Sequence, residues 1–193
     1  NLTYSGANDS EIQTNAGLTQ TKNSSFNINV TAGTYTLRFH PCPVDNINFT
    51  GFSGSFYNQS AGTQFYIFGN MTFSSSMTFA NGATWYLEAS SGTQTLTSNG
   101  CVINTISFQK SIDSTKTGST FELADDLNMI GVNSNNIVIN AGTFNTNNKT
   151  ISTYSLVASS TGTTVMNLGS STINLRSGLS FTAGTNLTVN PGT

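Results

Sequence analysis

The tripeptide Ala-Gly-Thr occurs four times in this chain, and its positions constrain the fold more than any other feature. The copies are residues 32–34, 61–63, 141–143 and 183–185, and residues 80–84 form a looser fifth version. Each copy lies where one run of alternating apolar and polar residues ends and the next begins. Glycine between two such runs is typical of a turn between β-strands. The repetition therefore predicts a repetitive all-β body.

Apolar and polar residues alternate through most of the chain from Phe26 to Val189. Clear examples are residues 26–30, 35–39, 102–108 and 165–168. A period of two places successive side chains on opposite faces of a strand, so one face is buried and the other is exposed. No sustained apolar stripe with a 3.6-residue period is present, so we expect no helix longer than one or two turns.

Glycines interrupt this alternation at intervals close to twenty residues, at positions 33, 62, 82, 100, 118, 142, 162 and 184. Such an interval fits one coil of a parallel β-helix, and the sequence therefore predicts a β-solenoid with repeats of about 20 residues. The alternative is an immunoglobulin-like or jelly-roll β-sandwich, which a strand from a neighbouring subunit could complete. Asn-Gly pairs for tight hairpins occur only at 81–82 and 99–100, which favours the solenoid.

The beginning of the chain differs in pattern from the remainder. Residues 1–24 contain sparse apolar residues in Asn-, Ser-, Thr- and Gly-rich surroundings, whereas residues 25–193 form a single all-β repeat body in this interpretation. The first segment is predicted to be an N-terminal arm that is either mobile or donates a strand to a neighbouring subunit. Leu2, Tyr4 and Ile12 would be the apolar residues of that donated strand.

Charge is scarce in this chain. Charged residues make up 7% of its 193 residues, against about 25% in globular proteins, and the formal net charge is −2. The six Lys and Arg residues are scattered, so we predict no binding of nucleic acid or of an anionic membrane surface. The longest apolar run, residues 65–68, is far shorter than the ~20 residues of a membrane span.

Cys42 and Cys101 are the only two cysteines. They either form a disulfide, which would require an oxidising compartment, or remain two separate buried thiols. The chain begins with Asn1 and shows no signal peptide, so we expect a processed mature form or a segment of a longer chain.

Candidate N-glycosylation sequons are present at nine asparagines, a number close to the roughly seven that this composition gives by chance. Their presence therefore leaves glycosylation open. They are Asn1, Asn8, Asn23, Asn29, Asn48, Asn58, Asn70, Asn148 and Asn186.

Asp125 and Asp126 are the only adjacent acidic pair, and with Arg176 they form the best candidate for a polysaccharide-cleaving site. Neighbouring residues on a strand point to opposite faces, however, so both carboxylates cannot line one groove unless a turn intervenes. We interpret the pair as part of a solvated turn and predict no catalytic residue.

The sole histidine, His40, lies two residues from Cys42, but a zinc site needs further ligands that the neighbouring sequence does not supply. Residues 45–48 offer oxygen ligands to calcium, although they lack the carboxylates of known calcium loops. The prolines at 41 and 43 indicate a rigid turn. We therefore predict no metal and no cofactor.

Two surface patterns could recognise a ligand. Thr-x-Thr occurs at 34–36, 93–97, 115–117 and 161–163. Ladders of threonine could match a polysaccharide or an ice lattice, but the irregular positions are more typical of an ordinary β-surface. Tyr57, Tyr66, Trp85 and Tyr154 could stack on sugar rings if they are exposed.

The stretch from residue 95 to residue 172 resembles a known group of proteins. Its segments read TLTSNG at 95–100, FELADDL at 121–127, AGTFNTNNKT at 141–150 and NLGSST at 167–172. These segments resemble Thr/Asn/Gly-rich β-repeat proteins of phage tail fibres and of environmental bacterial surfaces. The resemblance implies an extracellular structural or adhesive role and brings no catalytic residue with it. The first 90 residues show no such similarity.

These observations predict a non-enzymatic structural subunit of an extracellular fibre or filament, either a phage fibre or a microbial surface filament. We expect a homo-oligomer or homopolymer held by β-strand contacts, because unpaired strand edges are templates for further pairing. The alternative is a carbohydrate-binding adhesin module that contacts surface glycans. A polysaccharide-active β-helix enzyme is a weaker alternative.

Overall fold

The computed structural model of the chain describes residues 2–4, 9–12, 21–59, 63–110, 115–131, 135–158, 162–182 and 186–192. Across these ranges the protein is all-β, with one 3-10 turn at Lys22–Ser24. None of the described residues belongs to a helix long and apolar enough to cross a membrane.

Ten strands precede residue 90: β1 (Leu2–Tyr4), β2 (Ser10–Ile12), β3 (Phe26–Val30), β4 (Thr36–Phe39), β5 (Pro43–Asn48), β6 (Ser55–Asn58), β7 (Thr63–Ile67), β8 (Met71–Thr72), β9 (Thr78–Ala80) and β10 (Ala83–Leu87). Ten more follow it: β11 (Ser91–Thr97), β12 (Ile106–Lys110), β13 (Gly118–Leu123), β14 (Leu127–Asn128), β15 (Asn136–Ile139), β16 (Gly142–Asn145), β17 (Ile151–Ala158), β18 (Thr164–Gly169), β19 (Ile173–Phe181) and β20 (Leu187–Pro191).

These strands pair in parallel, and paired residues lie about one coil apart in the sequence. Trp85 in β10, for example, aligns with Phe65 in β7 and with Phe108 in β12, which are 20 and 23 positions away. Parallel pairing at this interval is the arrangement of a β-solenoid, so the predicted fold class is confirmed. The β-sandwich alternative is wrong, because a sandwich is built from antiparallel strands.

The coils present three faces. The first face is the sheet of β2, β4, β6 and β9, and in later coils β14 and the first halves of β17 and β19 follow in its place. The second face contains β7, β10, β12, β15 and the second halves of β17 and β19. The third face contains β8, β11, β13, β16, β18 and β20. Strands β3 and β5 run along both the second and the third face.

The described residues of the predicted N-terminal arm belong to this stack. The strand of Leu2 and Tyr4 pairs with β3, and the strand of Ile12 pairs with β4 of the same chain. In this structure the backbone of these residues extends the sheets of their own subunit, and donation of a strand to a neighbouring subunit stays a prediction. Residues 1, 5–8 and 13–20 lie outside the described part of the chain.

Aromatic rings from successive coils fill the interior. Phe39 stacks on Phe56 with centroids 4.7 Å apart, and Phe121 stacks on Phe144 at 5.3 Å. Trp85 is fully buried and contacts five rings at 5.4 to 6.2 Å, those of Phe56, Phe65, Phe73, Phe79 and Phe108. Because the register places ring above ring, the alternation seen in the sequence becomes a continuous aromatic core.

The Ala-Gly-Thr turns depend on glycine. Gly142 has a φ of +86°, and a Cβ added there would lie 2.5 Å from the carbonyl oxygen of Ser119 in the neighbouring coil. Gly33 has a φ of +113°. Any other residue at position 142 would combine backbone strain with a steric clash, so glycine is required there. The copies at 61–63 and 183–185 fall wholly or partly outside the described residues.

The two cysteines are buried free thiols, the second of the two predicted alternatives. Cys42 directly precedes β5, whereas Cys101 follows β11, and the coil of β7 and β8 lies between these two coils. Two coil spacings amount to about 10 Å, whereas a disulfide requires Cα atoms within about 7 Å. The structure therefore contains no bridge between them, and burial raises the pKa of each thiol to about 12.

Trp85→Ala should lower the free energy of unfolding by about 3–5 kcal/mol, because it opens a cavity among five aromatic rings. Trp85→Phe should cost less, since it keeps an aromatic ring and removes an indole N–H that has no acceptor among the described residues. Urea unfolding followed by circular dichroism measures both. Equal losses for the two variants would contradict this packing.

Candidate functional site

A row of polar side chains runs along the outside of the third face. We call it the polar ladder, and it consists of Asn27, Asn46, Asn70, Thr95, Glu122, Asn145, Asn167 and Asn190. Every coil from β3 to β20 contributes one of these residues. Each position precedes or follows an inward-facing residue by one, so the pleat directs its side chain outward.

Side-chain amides bond directly to one another at both ends of the ladder. The Nδ2 of Asn167 donates to Oδ1 of Asn145 at 2.6 Å, and the Nδ2 of Asn190 donates to Oδ1 of Asn167 at 2.7 Å. At the other end, the Nδ2 of Asn46 donates to Oδ1 of Asn27 at 2.8 Å. Such bonds link neighbouring coils at both ends of the ladder in addition to the backbone hydrogen bonds.

The middle of the ladder uses a different set of contacts. The backbone N–H of Asn70 donates to Oδ1 of Asn46 at 2.8 Å, and that of Thr95 donates to Oδ1 of Asn70 at 2.9 Å. The hydroxyl of Thr95 then donates to Oε1 of Glu122 at 3.1 Å. The ladder is therefore continuous from Asn27 to Glu122 and resumes at Asn145, the register partner of Glu122.

A concave site lies at the corner between the second and third faces. We call it the corner cleft; it measures about 410 Å³. It is lined by Thr21, Lys22, Phe68, Glu88, Ala89, Ser90, Ser91 and Lys116. The corner between β10 and β11 forms its floor, and the preceding and following coils supply Phe68 and Lys116.

The corner cleft concentrates charge in a chain that has little. Three of the six cations, Lys22, Lys110 and Lys116, lie in it or directly behind it. Lys116 forms an ion pair with Glu88, whose side chain is only 2% exposed, and Lys22 forms an ion pair with Asp45. Charges of both signs are therefore held together at this corner.

Lys110 supports the corner from inside the solenoid. Its Nζ donates to the carbonyl oxygens of Leu87 at 3.2 Å and Ala89 at 3.4 Å, and to Oγ of Ser119 at 2.6 Å. The side chain is fully buried. Burial lowers the pKa of Lys110 to about 8; nearby Glu88 opposes this effect and Lys116 adds to it.

The tyrosines Tyr66 and Tyr86 lie on the second face beside the corner cleft. Their rings stack with centroids 5.4 Å apart, and both contact Gln64. The hydroxyl of Tyr66 donates to Oε1 of Gln64 at 2.9 Å, and Nε2 of Gln64 donates to the hydroxyl of Tyr86 at 3.1 Å. Burial, with the negative charge of Glu88 as a lesser cause, raises the pKa of both tyrosines.

Asp125 and Asp126 bind backbone groups of different coils. Asp125 accepts from the N–H groups of Ser98 at 2.7 Å and Asn99 at 2.5 Å, whereas Asp126 accepts from the N–H of Thr150 at 2.8 Å. They therefore act as turn residues. Arg176 donates to the carbonyl of Gly131 at 2.8 Å, at a different corner of the solenoid. The structure does not bring these three residues together as a catalytic set.

His40 and Cys42 do not share a site. His40 lies 2.5 Å from Oε1 of Glu11, while Cys42 is buried in the core. Within the described ranges, no group of three or more His, Cys, Asp or Glu residues is positioned to hold a metal. In residues 45–48 the polar side chains bond to Lys22 and to neighbouring asparagines, and Ile47 points into the core.

The threonines and aromatic residues divide between surface and core. Thr93, Thr120 and Thr143 are register partners on the third face, so an ordered threonine row exists although the Thr-x-Thr motifs are irregular in sequence.

Among the predicted aromatic residues, Trp85 is buried and Tyr57 lies under the guanidinium of Arg38 at 4.7 Å. Tyr154 is half-buried on β17, and Tyr66 forms the stacked pair described above.

The nine sequons differ in access. Asn58 is fully buried and its amide donates to the carbonyl of Asn81, so it cannot carry a glycan in the folded protein. Asn29 and Asn48 are half-buried and bonded to each other at 2.7 Å. The exposed asparagines are Asn23, Asn70, Asn148 and Asn186, while Asn1 and Asn8 lie outside the described residues.

Sequence reasoning missed the corner cleft and the polar ladder. One signal was present for the cleft: alternation along Ile106, Phe108 and Lys110 places the lysine on the buried side of β12. A lysine on an apolar face needs polar partners, and here these are corner carbonyls of the preceding coil. The ladder had no comparable signal, because it depends on register between coils of unequal length.

Comparison of the chain with protein families, with curated proteins and with solved structures finds no match.

Asn167→Ala should lower the free energy of unfolding by about 1–2 kcal/mol, because it removes the two side-chain hydrogen bonds to Asn145 and Asn190. Asn174→Ala is the matched control and should cost less than about 0.5 kcal/mol, since Asn174 is exposed and has one contact, at 3.3 Å, to Ser152. Urea titration of both variants tests this. An equal cost for the two would show that the ladder adds nothing to stability.

The lowered pKa of Lys110 predicts that the free energy of unfolding rises with pH. Its folded-state pKa of about 8 lies below the ordinary lysine pKa of 10.5 that applies to the unfolded chain. Between these values the unfolded state binds more protons, so unfolding becomes less favourable as the pH increases. From pH 7 to pH 9.5, the free energy of unfolding should rise by about 2 kcal/mol relative to Lys110→Met. Parallel curves for the two proteins would contradict the lowered pKa.

Proposed function

We propose that this protein is a non-enzymatic structural subunit of an extracellular fibre or filament, and that its subunits assemble through β-strand contacts at the ends of the solenoid. The observation that carries the proposal is the apolar surface on the coil of β19 and β20. The resemblance of residues 95–172 to fibre-type β-repeat proteins is the basis for the extracellular setting.

The inward-facing residues on the coil of β19 and β20 are incompletely covered by the described residues. Leu179 and Phe181 align with the buried Leu156 and Ala158 of β17, yet Leu179 is 51% exposed. We call Leu179 and Phe181, together with Ile173, Leu175, Leu187 and Val189, the apolar end surface. Apolar surface of this kind favours contact with another apolar surface.

The backbone of the same coil favours a strand partner. Within the part of the chain that the structure describes, β19 pairs only with β17 and β20 pairs only with β18. The outer edges of β19 and β20 therefore present N–H and C=O groups to a further strand. With a net charge of −2, electrostatic repulsion between subunits is weak.

The polar ladder supports the same proposal. Its hydrogen bonds run along the stacking direction, so they resist separation of coils along the axis of the solenoid. Asn190 on β20 continues the ladder and carries a side-chain amide that an adjoining coil can bond. A body reinforced along its axis suits a filament that carries tension.

Leu179→Lys should abolish self-association, because it places a charge in the apolar end surface. Val102→Lys is the matched control, since Val102 is a comparably exposed apolar residue, at 44%, on the side of the solenoid. Sedimentation velocity over a concentration series and negative-stain microscopy measure assembly. We expect filaments from the wild type and from Val102→Lys, and monomers from Leu179→Lys.

A wild-type protein that sediments as a monomer at every concentration would contradict the proposal. Filaments that persist in Leu179→Lys would exclude the end surface as the contact. Circular dichroism of each variant establishes that the solenoid is folded before assembly is scored.

A further inference from the structure

The corner cleft has the form of a ligand site. Its volume of about 410 Å³ falls within the roughly 300–1,000 Å³ of small-molecule pockets. Phe68 and Ala89 give it an apolar part, and Thr21, Ser90 and Ser91 line it with residues that carry hydroxyl groups. A ligand that fits these walls has both apolar and polar groups on a compact frame.

Two of the three lysines at the cleft are paired with carboxylates, which bears on the charge of the ligand. Lys116 is paired with Glu88, and Lys22 is paired with Asp45. An anionic ligand would have to compete with two carboxylates for these lysines. A neutral ligand needs no such exchange, because both ion pairs stay intact when it binds.

The cleft is held in a fixed shape from inside. Lys110 donates to the carbonyls of Leu87 and Ala89. Gln94 donates to the carbonyl of Ile67 at 2.9 Å and accepts from the N–H of Ala89 at 3.2 Å. These bonds connect the corner to the coil before it and the coil after it. A site that is rigid before binding loses little conformational entropy when a ligand arrives.

The tyrosine pair extends the site along the second face. Tyr86 lies on β10 two residues before the cleft residue Glu88, which places the tyrosine pair next to the cleft. Tyr66 and Tyr86 present phenolic groups whose orientation Gln64 fixes. The phenols, the Lys116 ammonium and the hydroxyl groups of the cleft supply hydrogen-bonding groups beside apolar surface.

From these features we propose that the corner cleft binds a neutral carbohydrate. A sugar carries many hydroxyl groups, each both donor and acceptor, on a frame whose C–H groups are apolar. Its hydroxyl groups match the Lys116 ammonium and the hydroxyls of Thr21, Ser90 and Ser91, and its apolar face matches Phe68. A chain of sugars would continue from the cleft across Tyr86 and Tyr66. This function is independent of filament assembly, because the cleft lies on the side of the solenoid and the assembly surface lies at its end.

The test measures binding to immobilised glycans. The panel contains neutral cello-, xylo-, manno- and chito-oligosaccharides and, separately, acidic oligogalacturonate and sulfated oligosaccharides. We expect the wild type to bind at least one neutral glycan. Ser90→Trp should weaken that binding by about tenfold or more, because Ser90 is an exposed loop residue whose enlargement fills the cleft.

Ser76→Trp is the matched control, since Ser76 is an exposed serine in the loop between β8 and β9 and does not line the cleft. It should bind as the wild type does. Tyr86→Phe should give a smaller loss, because it removes one phenolic hydroxyl and keeps the ring. Unchanged unfolding midpoints for all three variants separate a loss of binding from a loss of folding.

Three results would overturn the proposal: binding to none of the glycans, binding only to the acidic glycans, or equal binding by Ser90→Trp and the wild type. Each is distinguishable from a failure of filament assembly, because the Leu179→Lys variant leaves the cleft intact and Ser90→Trp leaves the end surface intact.

Discussion

Parallel, in-register stacking of strands is the constraint on which the remainder of this structure depends. It places each residue about 4.8 Å above its partner in the next coil, so a side chain meets another from the equivalent position rather than an arbitrary neighbour. Inside the solenoid this geometry brings Phe121 onto Phe144. Outside, the same geometry brings Asn167 between Asn145 and Asn190.

Scarcity of charge is a second consequence of stacking. A charged residue repeated in register would face a like charge in the adjacent coil, whereas asparagine and threonine can bond to copies of themselves. Among the described residues, the register pair in which both side chains are charged is Glu11 with Arg38, of opposite sign. Several charged residues meet at the corner cleft, where Lys116 pairs with Glu88 and Lys22 pairs with Asp45.

The sequence predicted the solenoid because two of its signals are local. Alternation along residues 106–110 shows which side chains of β12 point inward, and glycine at position 142 marks a turn that no other residue fits. Register is not local. The pairing of Lys110 with Ile139 spans 29 residues, whereas that of Ile139 with Ala158 spans 19. Because the coils differ in length, the sequence alone does not predict that Thr93 lies beside Thr120. For the same reason it does not predict that Cys42 and Cys101 are two coils apart.

The measurement that tests this account most directly is X-ray fibre diffraction from aligned assemblies of the protein. If solenoids stack end to end, the strands lie perpendicular to the filament axis. The reflection from the spacing between strands, at about 4.7–4.9 Å, should then be meridional. The same reflection on the equator would place the strands along the filament axis and contradict assembly through the ends of the solenoid.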